Sequence, residues 1–184
     1  QLSRNLAARL PLFIYIMYFM TVADKAGRAM FYNCDKDMLR YAWYRRPQTI
    51  LKNFRIRLVR VALYDLAIAA AVCLAAAGFC LLCGAPLLAA DFLLFCAAVL
   101  LLSVLFTAHH LCLYYIFQPY SESLKVKNPF YSAVNLFMYT LCFLCLQIKV
   151  GGLAFTLAVL GITVLYIAGA LAHVYRLAPR TFRV

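Results

Sequence analysis

VALYDLAIAAAVCLAAAGFCLLC (residues 61–83), the short link GAP (84–86) and LLAADFLLFCAAVLLLSVLFTAHHLCLYYIF (87–117) form a nearly continuous apolar stretch, with two acids and no lysine or arginine. A helix crosses the hydrocarbon core with roughly 20 apolar residues. The stretch therefore reads as two membrane-spanning helices joined by a tight turn at Gly84-Ala85-Pro86. Working outward, three more apolar runs appear, at 6–22, 130–148 and 153–175. The first is short and carries Arg9 and Pro11 near its start, where a proline is tolerated. The run at 87–117 is too long for one crossing. At about 1.5 Å per residue it reaches about 46 Å, so its end from His109 onward is expected to project past the bilayer as helix. The expected fold class is all-α: a polytopic transmembrane helical bundle of about five spans, a single domain over 1–184.

Composition agrees. The 184 residues are 67% hydrophobic and 13% charged, with mean hydropathy +0.87, against about 45–50% apolar and about 25% charged in soluble domains. The net charge of +12 then speaks of membrane orientation, and no nucleic-acid partner is expected. Most of the eight cysteines fall inside apolar runs, where Cys behaves as a small hydrophobe. Cys80-x-x-Cys83 and Cys142-x-x-Cys145 could form a zinc site or disulfides, but their Leu/Phe-rich surroundings favour packing, and no metal is expected.

Between the first two runs lies a basic loop, residues 23–60. It holds ten of the eighteen basic residues, from Lys25 to Arg60, against Asp24, Asp35 and Asp37. Cytoplasmic loops carry the excess of Lys and Arg. With the amino terminus outside, 15 basic residues fall inside and 3 outside, so the carboxyl terminus is cytoplasmic and the protein sits in the cell membrane. A signal peptide is disfavoured by bulky Tyr15, Tyr18 and Phe19 and by the absence of a small-residue cleavage site. The opening at Gln1 and an odd number of spans starting outside read as a piece of a longer chain.

Within the loop, residues 35–46 read as a short helix. Asp35 would be its N-cap, Asp37 favours its start, Arg45 and Arg46 favour its end, and Pro47 stops it. Met38, Tyr41 and Ala42 share one face, which Leu39, Trp43 and Tyr44 extend. A second helix from about Gln48 places Ile50, Phe54, Leu58 and Val61 on an apolar face, with Lys52, Arg55 and Arg60 mostly elsewhere. Such a helix suits the anionic inner leaflet, and Lys52, Arg55, Arg57 and Arg60 are its candidate membrane-surface residues. The aromatic and basic character of 35–46 exceeds what orientation requires and points to docking.

These residues carry a resemblance. Phe31-Tyr32-Asn33-Cys34-Asp35, Leu39-Arg40-Tyr41, Tyr44-Arg45, Ile50-Leu51 and Phe54-Arg55-Ile56-Arg57-Leu58 resemble the first cytoplasmic loop of bacterial ATP-binding-cassette (ABC) exporter permeases. Lys127-Asn128-Pro129-Phe130-Tyr131-Ser132 is similar to the same family. The likeness covers 30–58 and 125–148, with no catalytic motif in it. It implies a permease subunit whose ATPase is a separate cytoplasmic chain that binds ATP and Mg, leaving none as cofactors here, with a second permease half alongside. In such families a coupling helix inserts into the ATPase. By position and pattern, the candidate is Asp37, Met38, Arg40, Tyr41, Trp43, Tyr44, Arg45 and Arg46.

A few polar residues interrupt the spans. Asp65 and Asp91 lie near span ends, where a carboxylate either contacts a proton or substrate or reaches water or a basic neighbour. Asn135 is expected to hydrogen-bond between helices, with substrate contact as the other reading. His109 and His110 diverge by about 100° on a helix, so they cannot face one metal together. With Tyr114, Tyr115 and Tyr120 they are expected at the inner headgroups. Ala67, Ala71, Ala75 and Gly78, and Gly161 with Gly169, read as close-packing seams. No span shows a repeated polar face that would line a pore. No nucleophile, metal or phosphate-loop motif is present, so the chain is not expected to be an enzyme. The alternative to transport is a membrane scaffold whose basic loop docks another protein.

Overall fold

A computed structural model describes residues 10–84, 86–120, 128–147 and 151–182. Its helices are α1 (Leu10–Met20), α2 (Ala23–Met30), α3 (Lys36–Met38), α4 (Pro47–Leu82), α5 (Ala90–Phe117), α6 (Pro129–Cys145) and α7 (Gly152–Thr181). A π-helical turn, Phe31–Asp35, joins α2 to α3. The fold is an all-α bundle, with no strand among the described residues. Among the described residues three helices, α4, α5 and α7, are long and apolar enough to cross a membrane. α6, with 17 residues, is apolar but shorter. The predicted features at Arg4, Arg9, Lys125, Lys127, Lys149 and Arg183 lie outside the described residues, as do parts of the first run and of the turn at Ala85.

α5 is the axis. It touches α1, α2, α4, α6 and α7, and every residue from Leu105 to Tyr115 is buried. A helix apolar all round needs neighbours all round, whereas the outer helices can leave an apolar face to lipid. Two cores stack along it. One joins Leu10, Met17, Phe95, Val99, Leu102 and Phe106. The other, at the carboxyl end of α5, joins Phe31, Leu39, Ile50, Phe54, Tyr114 and Phe182. Phe182, just after α7, stacks on Tyr115 with centroids 4.8 Å apart and meets Tyr114 edge-on.

This second core corrects several expectations. The end of α5 does run on as helix, to Phe117, but it is covered by protein. The basic loop wraps it, so His109, His110, Tyr114, Tyr115 and Tyr120 are buried in protein. The predicted interfacial helix at 48–60 is collinear with the next span: α4 runs 36 residues, about 54 Å, so its first turns stand off the apolar portion. Its stripe Ile50, Phe54 and Val61 is buried in this core. Within this chain the small-residue seams pack against no described neighbour. Ala67, Ala71, Ala75 and Gly78 are exposed, and a Cβ at Gly78, Gly161 or Gly169 would meet nothing within 4 Å.

Candidate functional site

The loop folds around one buried carboxylate. Ala23, Gly27, Phe31 and Asp35 are all buried at four-residue intervals. An α-helix gains about 40° over four residues, so keeping all four on one line requires underwinding. The π-turn at Phe31–Asp35 supplies it. Asp35 consequently points inward and is wholly buried. It is not an N-cap: its backbone is helical and its side chain caps nothing.

Asp35 accepts four hydrogen bonds. Arg57 donates two, from Nη1 at 2.6 Å and Nη2 at 2.7 Å, Tyr44 donates one at 2.6 Å, and the Tyr114 hydroxyl donates the fourth. Arg57 Nη1 also reaches Tyr115 Oη at 2.9 Å, and its guanidinium lies 5.9 Å from the centre of that ring. Arg57 is therefore no membrane-surface residue. The bidentate geometry is the strong form of a carboxylate–guanidinium pair. It joins the π-turn, α4, α5 and the segment after α3 at one point. Burial and the bond to Asp35 push the Tyr44 hydroxyl pKa up, so it remains a donor.

The segment 39–46 is not the predicted helix. Helical hydrogen bonding ends at α3 and gives way to a chain of turns, with Tyr41 N on Met38 O at 3.1 Å, Tyr44 N on Tyr41 O at 3.2 Å and Arg46 N on Trp43 O at 3.3 Å. Leu39 and Tyr44 are both buried. Five residues apart, they would lie about 140° apart on an α-helix, so one short helix could not bury both. Between and beyond these anchors the segment is exposed. Tyr41 is 56% and Trp43 49% accessible, with Arg40 and Arg46 also exposed and Arg45 half-buried. Of the candidate coupling residues, Asp37 is exposed, Met38 half-buried, and Tyr44 serves as the anchor. Lys52, Arg55 and Arg60 stay exposed on α4.

Asp65 is the second buried carboxylate. It accepts from Thr21 Oγ1 at 2.7 Å, Val22 N at 2.8 Å and Thr107 Oγ1 at 2.5 Å. It thus takes an otherwise orphaned amide at the start of α2 and ties it to α4 and α5. Asp91 is half-buried in the first turn of α5, where an acid favours the helix dipole. Asn135 is half-buried and faces a cavity between α1, α2, α5 and α6.

Two patterns escaped the sequence reading. On α4, positions 50, 54, 57, 61, 65 and 69 form one inward stripe, and its two charged members are the two paired ones. On α5, Ser103, Thr107, His110 and Tyr114 form an inward polar stripe. It is a repeated polar face after all, though packed among helices. His109 turns the other way, to Tyr166 at 2.9 Å. The eight cysteines are free thiols, and no group of three metal-binding side chains occurs among the described residues.

What these parts can do is mechanical: an exposed aromatic and basic tip is fastened through Tyr44 to a buried ion pair that grips two long helices. Compared with family models, with curated proteins and with solved structures, the chain matches none.

Proposed function

We propose that this chain is the membrane-spanning permease subunit of an ATP-driven exporter, receiving the motion of a separate cytoplasmic ATPase at residues 39–46 and passing it to α4 and α5. The observation that carries this reading is the pairing of an exposed tip, Tyr41 and Trp43 among arginines, with a rigid root at Asp35–Arg57. Aromatic residues and arginine dominate the energetics of protein docking. A tip held only by a flexible loop would absorb a push. This one is bonded to α4 and α5, so displacement of the tip tilts both helices, a rigid-element form of switching.

The charge count supports the orientation, with 15 basic residues on the side of the tip and 3 opposite. α1 and α6 serve as the remaining spans, giving five. ATP and Mg belong to the ATPase chain, and the largely uncovered flank of α4 is available to lipid or to a second permease half. The test is ATP hydrolysis by the partner ATPase co-reconstituted with this chain in vesicles. Stimulation should be lost in the Tyr41→Ala/Trp43→Ala variant while its thermal unfolding stays unchanged. Full stimulation by that variant rejects the tip as the coupling surface.

A further inference from the structure

A cavity of about 310 Å³ lies between α1, the start of α2, α5 and α6. Lys25 and Arg28 stand at it from α2, His110 from α5 and Asn135 from α6. Its polar lining is unfinished. His110 is 8% exposed, yet among the described residues neither of its ring nitrogens has a partner, and Asn135 Oδ1 is also unpaired there. Buried polar atoms without partners are costly and rare, so their convergence on one polar cavity marks a place for a ligand.

The chemistry of the walls defines that ligand. Among the described residues at the cavity, two cationic side chains face one carboxylate, Asp24, which already accepts from Tyr131 Oη at 2.5 Å and Tyr120 Oη at 3.2 Å. Arg28 is held over the Tyr120 ring at 5.7 Å. An imidazole in any protonation state has at least one N–H to donate, so His110 adds a donor from the buried side. The set suits a phosphate, bound by cations and hydrogen-bond donors together.

A second feature says what the phosphate is attached to. From the cavity edge, exposed Phe19 leads to Tyr139 at 5.8 Å, Tyr139 to Tyr15 at 5.6 Å, and Tyr15 to Phe143 at 6.5 Å between ring centroids. This aromatic seam runs between α1 and α6 away from the basic loop, along the apolar length of the bundle. A free anion has no use for it, but an acyl chain does.

We propose that the cavity seats the phosphate of a membrane lipid headgroup, gripped by Lys25, Arg28 and His110, with its acyl chains lying along the α1–α6 seam. The site is separate from the docking tip and from the exposed Lys52, Arg55 and Arg60, and it stands whether or not the chain couples to an ATPase. The lipid holds α1, α2 and α6 together at the membrane surface.

The test is native mass spectrometry of the purified full chain in neutral detergent, titrated with phosphatidylglycerol and, separately, with inorganic phosphate. One retained lipid per chain is expected. Lys25→Gln/Arg28→Gln and His110→Phe should each lower the lipid-bound fraction by about fivefold or more. Lys52→Gln/Arg55→Gln, which removes equal charge elsewhere, should change it by less than about twofold. If His110→Phe lowers the thermal unfolding midpoint, Asn135→Leu takes its place with the same expectation. Equal losses from both charge pairs would mean general attraction to basic protein and would overturn the proposal. Undiminished binding by the cavity variant would overturn it as well. Displacement of the lipid by inorganic phosphate alone would reassign the cavity to a free anion.

Discussion

Replacing Arg57 by Met is the sharpest perturbation available in the loop. Asp35 is wholly buried, and Arg57 is its ion-pair partner, so the substitution leaves a carboxylate with only Tyr44 and Tyr114 as donors. Breaking a buried pair from one side costs about 3–5 kcal/mol, a factor of about a hundred to a few thousand in the folded-to-unfolded ratio. Asp35→Asn should cost less. Arg57 keeps Tyr115 Oη at 2.9 Å and Tyr44 Oη at 3.3 Å as acceptors, and its side chain is 16% exposed. The double variant, Asp35→Asn/Arg57→Met, should recover part of the loss from Arg57→Met, because no charge is then left buried alone. The assay is thermal or denaturant unfolding of the four proteins in one detergent, analysed as a double-mutant cycle. If Arg57→Met lies within about 0.5 kcal/mol of the parent and the double variant is the sum of the singles, the ion pair is not the root of the loop.

The same geometry fixes other outcomes. Asp65→Asn should destabilise by about 1–3 kcal/mol, since the charge that Thr21, Val22 and Thr107 all address is lost; unfolding in detergent reads it directly. Gly27→Ala should be neutral or stabilising by up to about 1 kcal/mol, because a Cβ there meets the Tyr114 ring at an ordinary 3.6 Å. A marked loss of stability would show that α2 lies closer to α5 than described. Burial, and then Asp24, push the Tyr120 pKa from 10.0 up to about 12. The sign is that of a raised folded-state value. Its contribution to stability is complete below about pH 10 and is lost as pH rises through about 12, which phenolate absorbance against pH should track.

Much of the bundle was legible because the lipid solvent forces long apolar helices, and the apolar runs locate α4, α5 and α7. The loop was harder. Charge alone makes Arg57 look like its neighbours Arg55 and Arg60, and only its place on the stripe Ile50, Phe54, Arg57, Val61 reveals that it must turn inward. A charge on a buried stripe demands a partner, and the partner, Asp35, lay 22 residues away across Pro47. Its capping-type residue identity fitted a helix start equally well. The π-turn that aims Asp35 has no local composition signal; only the four-residue spacing from Ala23 through Phe31 hints at it. The tip shows the same limit. Its aromatic and basic content is readable, but the turn chain arises from the distant burial of Leu39 and Tyr44.

The most direct test of the coupling account is to purify the full-length membrane protein in mild detergent and identify what comes with it. A cassette ATPase in stoichiometric amount, absent when Tyr41 and Trp43 are both replaced by Ala in a stably folded chain, is the predicted result. Recovery of no ATPase, or of the same ATPase with and without those two side chains, contradicts it.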